Sequence, residues 1–185
     1  MIELRVATAE DIPTLQSLID LSVRQLSTEF YTPAQIDASM AHVFGVDSQL
    51  IIDGTYYVVA SDERLVAAGG WSGRSTLFGG DQAKRSADDV LDPATSPARI
   101  RAFFVHPDWT RRGFARQIFA ACERAASARG FRRFELMATL PGEPLYRALG
   151  FVAREPVPVA MPGGLVLPCI RMEREIGGGV ARAAK

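Results

Sequence analysis

Several things are scarce in this sequence, and each scarcity excludes something. There are two cysteines, Cys122 and Cys169, far apart in a chain of 185 residues. Two such residues make neither a disulfide framework nor a zinc site, so each reads as a small buried hydrophobe. There are two histidines, and no cluster of His, Asp and Glu at ligand spacing, so no metal is expected. There is no charge excess: 21 Lys+Arg stand against 21 Asp+Glu, a formal net charge of zero. That argues against a nucleic-acid partner and gives no reason to invoke a membrane surface. No apolar run is long enough to span a bilayer. The N-terminus has the pattern of a strand and not of a signal peptide, so a cytoplasmic location is the default expectation. Both the G-x-x-x-x-G-K-[ST] loop and the G-x-G-x-x-G fingerprint are missing, which excludes the common nucleotide loops.

What is present is enough apolar residue, 48% of the chain, for one domain with its own core. That domain is expected over residues 1–176, with the glycine- and alanine-rich 177–185 as a loose tail. The chain is organised around Arg101 to Arg129. An apolar run, Ala102-Phe103-Phe104-Val105, reads as a strand. It breaks at His106-Pro107-Asp108, since proline biases its predecessor away from helix. A basic turn follows, Thr110-Arg111-Arg112-Gly113-Phe114-Ala115. Phe114, Ile118, Cys122 and Ala126, four apart, then mark one face of a helix. A helix start presents unpaired N–H groups at the positive end of its dipole. With Gly113 open to close approach and Arg111, Arg112 and Arg116 around it, this is an anion site, and phosphate is the expected occupant.

The turn resembles the pyrophosphate loop of the GNAT superfamily, the acyl-CoA-dependent N-acetyltransferases, whose pattern is [RQ]-x-x-G-x-[GA]. Thr110 departs from its first position. Downstream, Phe131 to Ala138 reads as a second strand, followed by Pro141-Gly142-Glu143-Pro144-Leu145-Tyr146-Arg147-Ala148-Leu149-Gly150-Phe151. The family carries a tyrosine on a short helix ending in leucine-glycine-phenylalanine, and Tyr146 with Leu149-Gly150-Phe151 fits that pattern. The resemblance implies an α/β (α+β) fold. Its central mixed sheet would have about six to seven strands, with helices on both faces. It implies acetyl-CoA as co-substrate, with Arg111, Arg112, Gly113, Phe114, Ala115 and Arg116 on its pyrophosphate. Phe103, Phe104 and Val105 would lie along its pantetheine arm, with a main-chain N–H there polarising the thioester. Tyr146 would be the acid facing the departing sulfur.

The rest of the chain fits around this unit. Ile2 to Ala7 reads as a strand, and Thr8 as the cap of a helix with Ile12, Leu15, Ile19 and Leu26 on one face. Thr32-Pro33-Ala34-Gln35 starts a second helix in capping-box register, with Ile36, Met40, Val43 and Phe44 as its buried stripe. Residues 56–60 and 65–71 form a hairpin whose Gly69-Gly70 pair marks a bulge or a close backbone approach. Residues 72–97 have no period; Leu77-Phe78-Gly79-Gly80 is either a lid over the site or a surface excursion. Residues 152–160 and 165–173 read as a closing hairpin, with Pro156, Pro158 and Pro168 favouring edge or bulge positions.

The acceptor is expected to be a small-molecule or peptide amine, with Phe30, Tyr31, Trp71 and Phe78 as candidate pocket aromatics. A core role is the alternative for each of them. A homodimer stays open. No base is legible: His106 reads as a turn residue, and Glu29, Glu135 or water are alternatives. A non-catalytic acyl-CoA-binding domain on the same fold is the competing reading.

Overall fold

The first apolar alternation forms strand β1 (Ile2–Val6). The computed structural model describes residues 1–62, 64–84 and 88–177, so the turn residue Glu63 and the expected tail at 178–185 lie outside the described residues. Helices α1 (Ile12–Leu26) and α2 (Pro33–His42) come next. At α2 the capping box forms as the sequence predicts. Gln35 N donates to Thr32 Oγ1 at 3.3 Å, and Gln35 Oε1 accepts from Thr32 N at 2.9 Å. At the start of α1, Thr8 is the N-cap as the sequence predicts, but the first turn is not α-helical. A 3-10 turn, Ala9–Asp11, precedes α1, and the Asp11 carboxylate accepts from Thr8 N at 2.8 Å. Arg5 grips the same carboxylate with two bonds of 2.7 Å. A short helix α3 (Ser48–Ile52) has no signature in the sequence, because five residues cannot display a helical period.

Strands β2 (Tyr56–Ser61) and β3 (Arg64–Ser72) make the expected hairpin. Strand β4 (Ala98–Val105) begins earlier than its apolar run, because Arg99 and Arg101 interrupt the pattern. Helix α4 (Phe114–Ala128), strand β5 (Arg133–Thr139) and helix α5 (Glu143–Ala148) follow. Strands β6 (Val152–Ala160) and β7 (Val166–Glu175) close the chain as a hairpin. The seven strands lie in the order β1-β2-β3-β4-β5-β7-β6. Only β4 and β5 pair in parallel, so the sheet is mixed and the class is α+β. Strand β6 is an edge, where the missing N–H groups of Pro156 and Pro158 do least harm.

Adjacent strand residues point to opposite faces, and both faces are covered. Val59 joins a core with Ile118, Cys122 and Phe134 beneath α4, whereas Val58 joins Leu15, Ile19 and Ile36 beneath α1 and α2. All four residues of the predicted α4 stripe are buried. Residues 77–80 run back against the end of α2, where Gly80 N donates to Val43 O at 2.9 Å. No described helix is long and apolar enough to cross a membrane.

Candidate active site

The site is a place where the sheet comes apart. Strands β4 and β5 pair only at Ala98↔Phe134 and Arg99↔Glu135, and beyond that they separate. A bulge turns β4 aside: Ala68 pairs Phe104 and Gly70 pairs Arg101, so Ala102 and Phe103 together face Gly69. Ala102 has φ 55°, a left-handed backbone that costs an alanine about 1–3 kcal/mol and persists only where surroundings enforce it. Here the fully buried Tyr56 donates its hydroxyl to Ala102 O at 3.1 Å. A Cβ on Gly69 would lie 2.7 Å from the Phe103 ring. Glycine at 69 therefore makes room for Phe103, whose ring meets Tyr146 edge-on at 6.2 Å.

A cavity of about 630 Å³ opens between the parted strands. One end lies at the start of α4. Gly113 caps that helix with φ 85°, and Arg111 is left-handed at φ 62°. None of the N–H groups from Arg111 to Arg116 has a main-chain partner among the described residues, and these residues line the cavity. Arg111 and Arg116 form no ion pair with a described carboxylate. Arg112 lies over the Trp109 ring at 4.5 Å and donates to Asp108 O at 3.2 Å. Thr110 commits its hydroxyl to Pro107 O at 3.1 Å, which fixes the turn. This end can hold a pyrophosphate through main-chain donors and two uncompensated guanidiniums.

Tyr146 and Phe103 to Val105 line the middle of the cavity. Tyr146 is 8% exposed, with Phe151 behind it at 5.8 Å. No described group hydrogen-bonds its hydroxyl. Burial, and secondarily the Cys122 thiol nearby, pushes its pKa above the ordinary phenol value, so it stays protonated. Val105 N donates to Ser22 Oγ of α1 at 3.3 Å.

The four aromatics proposed for an acceptor pocket do not come together. Phe78 lines the cavity. Tyr31 is buried elsewhere, donating to Pro168 O at 2.7 Å and accepting from Leu140 N at 2.8 Å; it fastens β7 to the end of β5. Trp71 pairs Ile100 before the strands part, and packs on Phe131 at 5.9 Å beneath α4. Phe30 is 45% exposed and lines neither the cavity nor the core. The residues that do line this end include Ser22, Val23 and Leu26 of α1, and Val43 and Phe44 after α2. Phe44 meets Phe104 edge-on at 6.1 Å. Their sequence signal was apolar periodicity, which does not distinguish a core stripe from a cavity wall.

The carboxylates considered as bases lie outside the cavity lining. Glu135 is engaged by Arg99 and by Arg171 at 2.9 Å, and Glu29 is exposed. His106 Nδ1 accepts from Asp108 N at 3.2 Å, the turn role expected of it. Among the described residues no group of three or more His, Cys, Asp or Glu is placed to hold a metal ion.

The family model for an acetyltransferase (GNAT) domain matches residues 53–153. A GCN5-related N-acetyltransferase from Rhodopseudomonas palustris superposes with a TM-score of 0.69 at 19% identity, over 94% of each chain. The PaiA N-acetyltransferase from Thermoplasma acidophilum, in complex with coenzyme A, gives 0.64 at 13% identity over 95% of this chain and 99% of that one. YncA from Salmonella typhimurium, a putative acetyltransferase with its cofactor acetyl-CoA, gives 0.61 at 14% identity, over 100% of this chain and 99% of that one. No curated protein matches the sequence significantly.

Proposed function

The chain belongs to the GNAT acetyltransferase family, and on that premise we propose that it moves the acetyl group of acetyl-CoA onto a primary amine by direct attack. The observation that carries this reading is the parted β4–β5 pair, with a row of unbonded N–H groups at one end and Tyr146 in the middle. The residues fit the co-substrate. The N–H groups from Arg111 to Arg116 and the guanidiniums of Arg111 and Arg116 would hold its pyrophosphate. The open edge of β4 from Phe103 to Val105 would accompany its pantetheine arm. Acetyl-CoA supplies an acetyl group on a thioester.

In the reaction the neutral amine nitrogen attacks the acetyl carbon. A C–N bond forms, the C–S bond breaks, and the sulfur leaves with the electron pair. The nitrogen loses one proton, and the products are an amide and a thiol. A main-chain N–H on β4 stabilises the oxyanion, a contribution of about 3–4 kcal/mol for one preorganised donor. Tyr146 donates a hydrogen bond to the departing sulfur. Burial raises its pKa further above that of a thiol, about 8.5, so it stabilises the thiolate more by that bond than by giving up its proton. Among the described residues no cavity-lining side chain is a carboxylate or imidazole, so water is left to take the amine's proton.

Calorimetric titration with acetyl-CoA beside an ATP control tests the reading, with free-thiol release over an amine panel as the second step. Binding of acetyl-CoA but not ATP, followed by amine-dependent thiol release, is the expected result. Binding without release under any amine would make the protein an acyl-CoA-binding domain, and absence of binding by folded protein would remove the assignment.

A further inference from the structure

We infer that the acceptor is a primary amine on an apolar body, entering uncharged and carrying no second cationic group. This rests on the acetyltransferase reading and narrows its substrate. The cavity end away from α4 is walled by Val23, Leu26, Val43, Phe44, Leu77 and Phe78. Beside Arg101, its polar side chains include Ser22 and Ser27, and the Ser22 oxygen already accepts from Val105 N at 3.3 Å. Among the described residues no Asp, Glu or His lines the cavity, and its ionisable side chains are Arg101, Arg111, Arg112, Arg116 and Tyr146.

The carboxylates behind this wall are already used: Asp88 accepts from Thr76 N at 2.8 Å, Asp81 accepts from Ser48 N at 3.1 Å, and both lie within 4.0 Å of Lys84 Nζ. Asp47 is 1% exposed, held by Arg101 Nη2 at 2.8 Å, by Lys84 and by Gln49 N at 3.1 Å. Arg101 also bonds the wall itself, with Nη1 on Thr76 O at 2.9 Å and Nη2 on Gly79 O at 2.6 Å. Gln82 Nε2 adds a bond to Phe44 O at 2.5 Å. The segment carrying Leu77 and Phe78 is therefore fastened to β4 and to the end of α2, and it forms a built side of the slot.

A cation entering this slot would give up water for apolar surface and arginine, with no counter-charge. An alkylamine must enter neutral, and at pH 7.4 a group of pKa about 10.4 is neutral in only about one molecule per thousand. That handicap is shared by every alkylamine and sets no preference. A second amine on the same chain doubles the requirement, because it too must be neutral or remain outside. A diamine is thus disfavoured against the matched monoamine by up to about a thousandfold. Transfer to the accepted amine has the balance given above: C–N formed, C–S broken, one amine proton released to water, and the thiolate protonated on release.

The test compares hexylamine and phenethylamine with hexamethylenediamine and lysine amide. It measures thiol release from acetyl-CoA, and calorimetric binding of the same amines to CoA-saturated protein. The monoamines are expected to exceed the diamine in kcat/KM by at least about a hundredfold, and to bind where the diamine does not. Leu26→Glu is expected to shrink that ratio at least tenfold, with acetyl-CoA affinity unchanged within twofold. Equal or better use or binding of the diamine would overturn the inference, as would an unchanged ratio in a folded Leu26→Glu protein. If acetyl-CoA binds and none of the four amines does, the inference falls and the acetyltransferase reading stands. If acetyl-CoA itself fails to bind, both fall.

Discussion

The steric relation between Gly69 and Phe103 allows a sharp test of how the site is built. In Gly69→Ala the new methyl would sit 2.7 to 2.8 Å from three atoms of the Phe103 ring, closer than real side chains approach. Something must move, and the ring is the softer partner, since Gly69 pairs Tyr57 within the β2–β3 ladder. Overpacking of this kind costs about 1–3 kcal/mol. In a chain of this size each kcal/mol lowers the melting temperature by about 2–4 °C. The displaced ring also loses its edge-on contact with Tyr146 at 6.2 Å, so kcat for thiol release should fall together with stability. The decisive assay is a double-mutant cycle by thermal unfolding: wild type, Gly69→Ala, Phe103→Ala and the pair. Removing the ring removes the clash, so the pair should be more stable than the summed single effects by about 0.5–3 kcal/mol. Gly70→Ala is the control. Its methyl would meet the main-chain Thr55 O at 2.6 Å, and Phe103→Ala should not rescue it. Additivity of Gly69→Ala and Phe103→Ala within about 0.5 kcal/mol would refute the claim that glycine at 69 exists to seat Phe103.

Tyr146→Phe should lower kcat by about a hundredfold, the low end of acid–base effects, and leave acetyl-CoA affinity unchanged; steady-state kinetics beside calorimetry decide it, and an intact kcat would end the role. Acid should weaken the fold partly through Asp11. The hydrogen bonds from Arg5, ahead of opposing desolvation and help from Thr8 N, hold its carboxyl below the usual carboxylate range. The folded pKa lies below the unfolded one, about 3.9 for a free aspartate, so the unfolded state takes up the proton first. The stabilisation is thus complete above that value and drains away as pH falls through the lower folded value. The melting-temperature gap between wild type and Asp11→Asn should be full at pH 7 and shrink below about pH 4; a gap of constant size would show that the Arg5–Asp11 pair contributes nothing titratable.

The sheet and the glycine-capped, arginine-rich start of α4 were legible in the sequence because their signals are local. Alternation marks the hairpins, a four-residue period marks α4, and glycine at 113 marks a backbone turn that the structure holds at φ 85°. Capping at Thr32 and Gln35 needed only the residues themselves. The other end of the cavity was not legible, because its walls are assembled from α1, the end of α2, the segment at 77–80 and β4, which lie far apart in sequence. Aromatic type misled in particular. Trp71 and Tyr31 are large and near the right elements, but both face other packing. Leu26 and Phe44 looked like core stripe and line the slot instead. Arg101 marked the start of the organising stretch, yet its bonds to Asp47, Thr76 and Gly79 cross 54, 25 and 22 residues, beyond any local pattern.

The costs of the fold gather at this same place. A parallel strand pair normally satisfies its main-chain groups along its whole length, and here β4 and β5 stop after two pairs. The opening exposes an unpaired ladder edge, the left-handed Ala102 adds backbone strain, and the α4 start adds N–H groups and guanidiniums that have no partner among the described residues. The repairs that exist are single and specific: Ser22 for Val105 N, Tyr56 for Ala102 O, Pro107 O for Thr110. Each repair holds the gap in shape without filling it. A ligand carrying a pyrophosphate and an amide-bearing arm offers acceptors to the free N–H groups at one end and ladder partners along β4. Its binding energy thus falls on the interactions the fold leaves unmade, and the chain should gain more stability from that ligand than from free phosphate, which reaches only the α4 end.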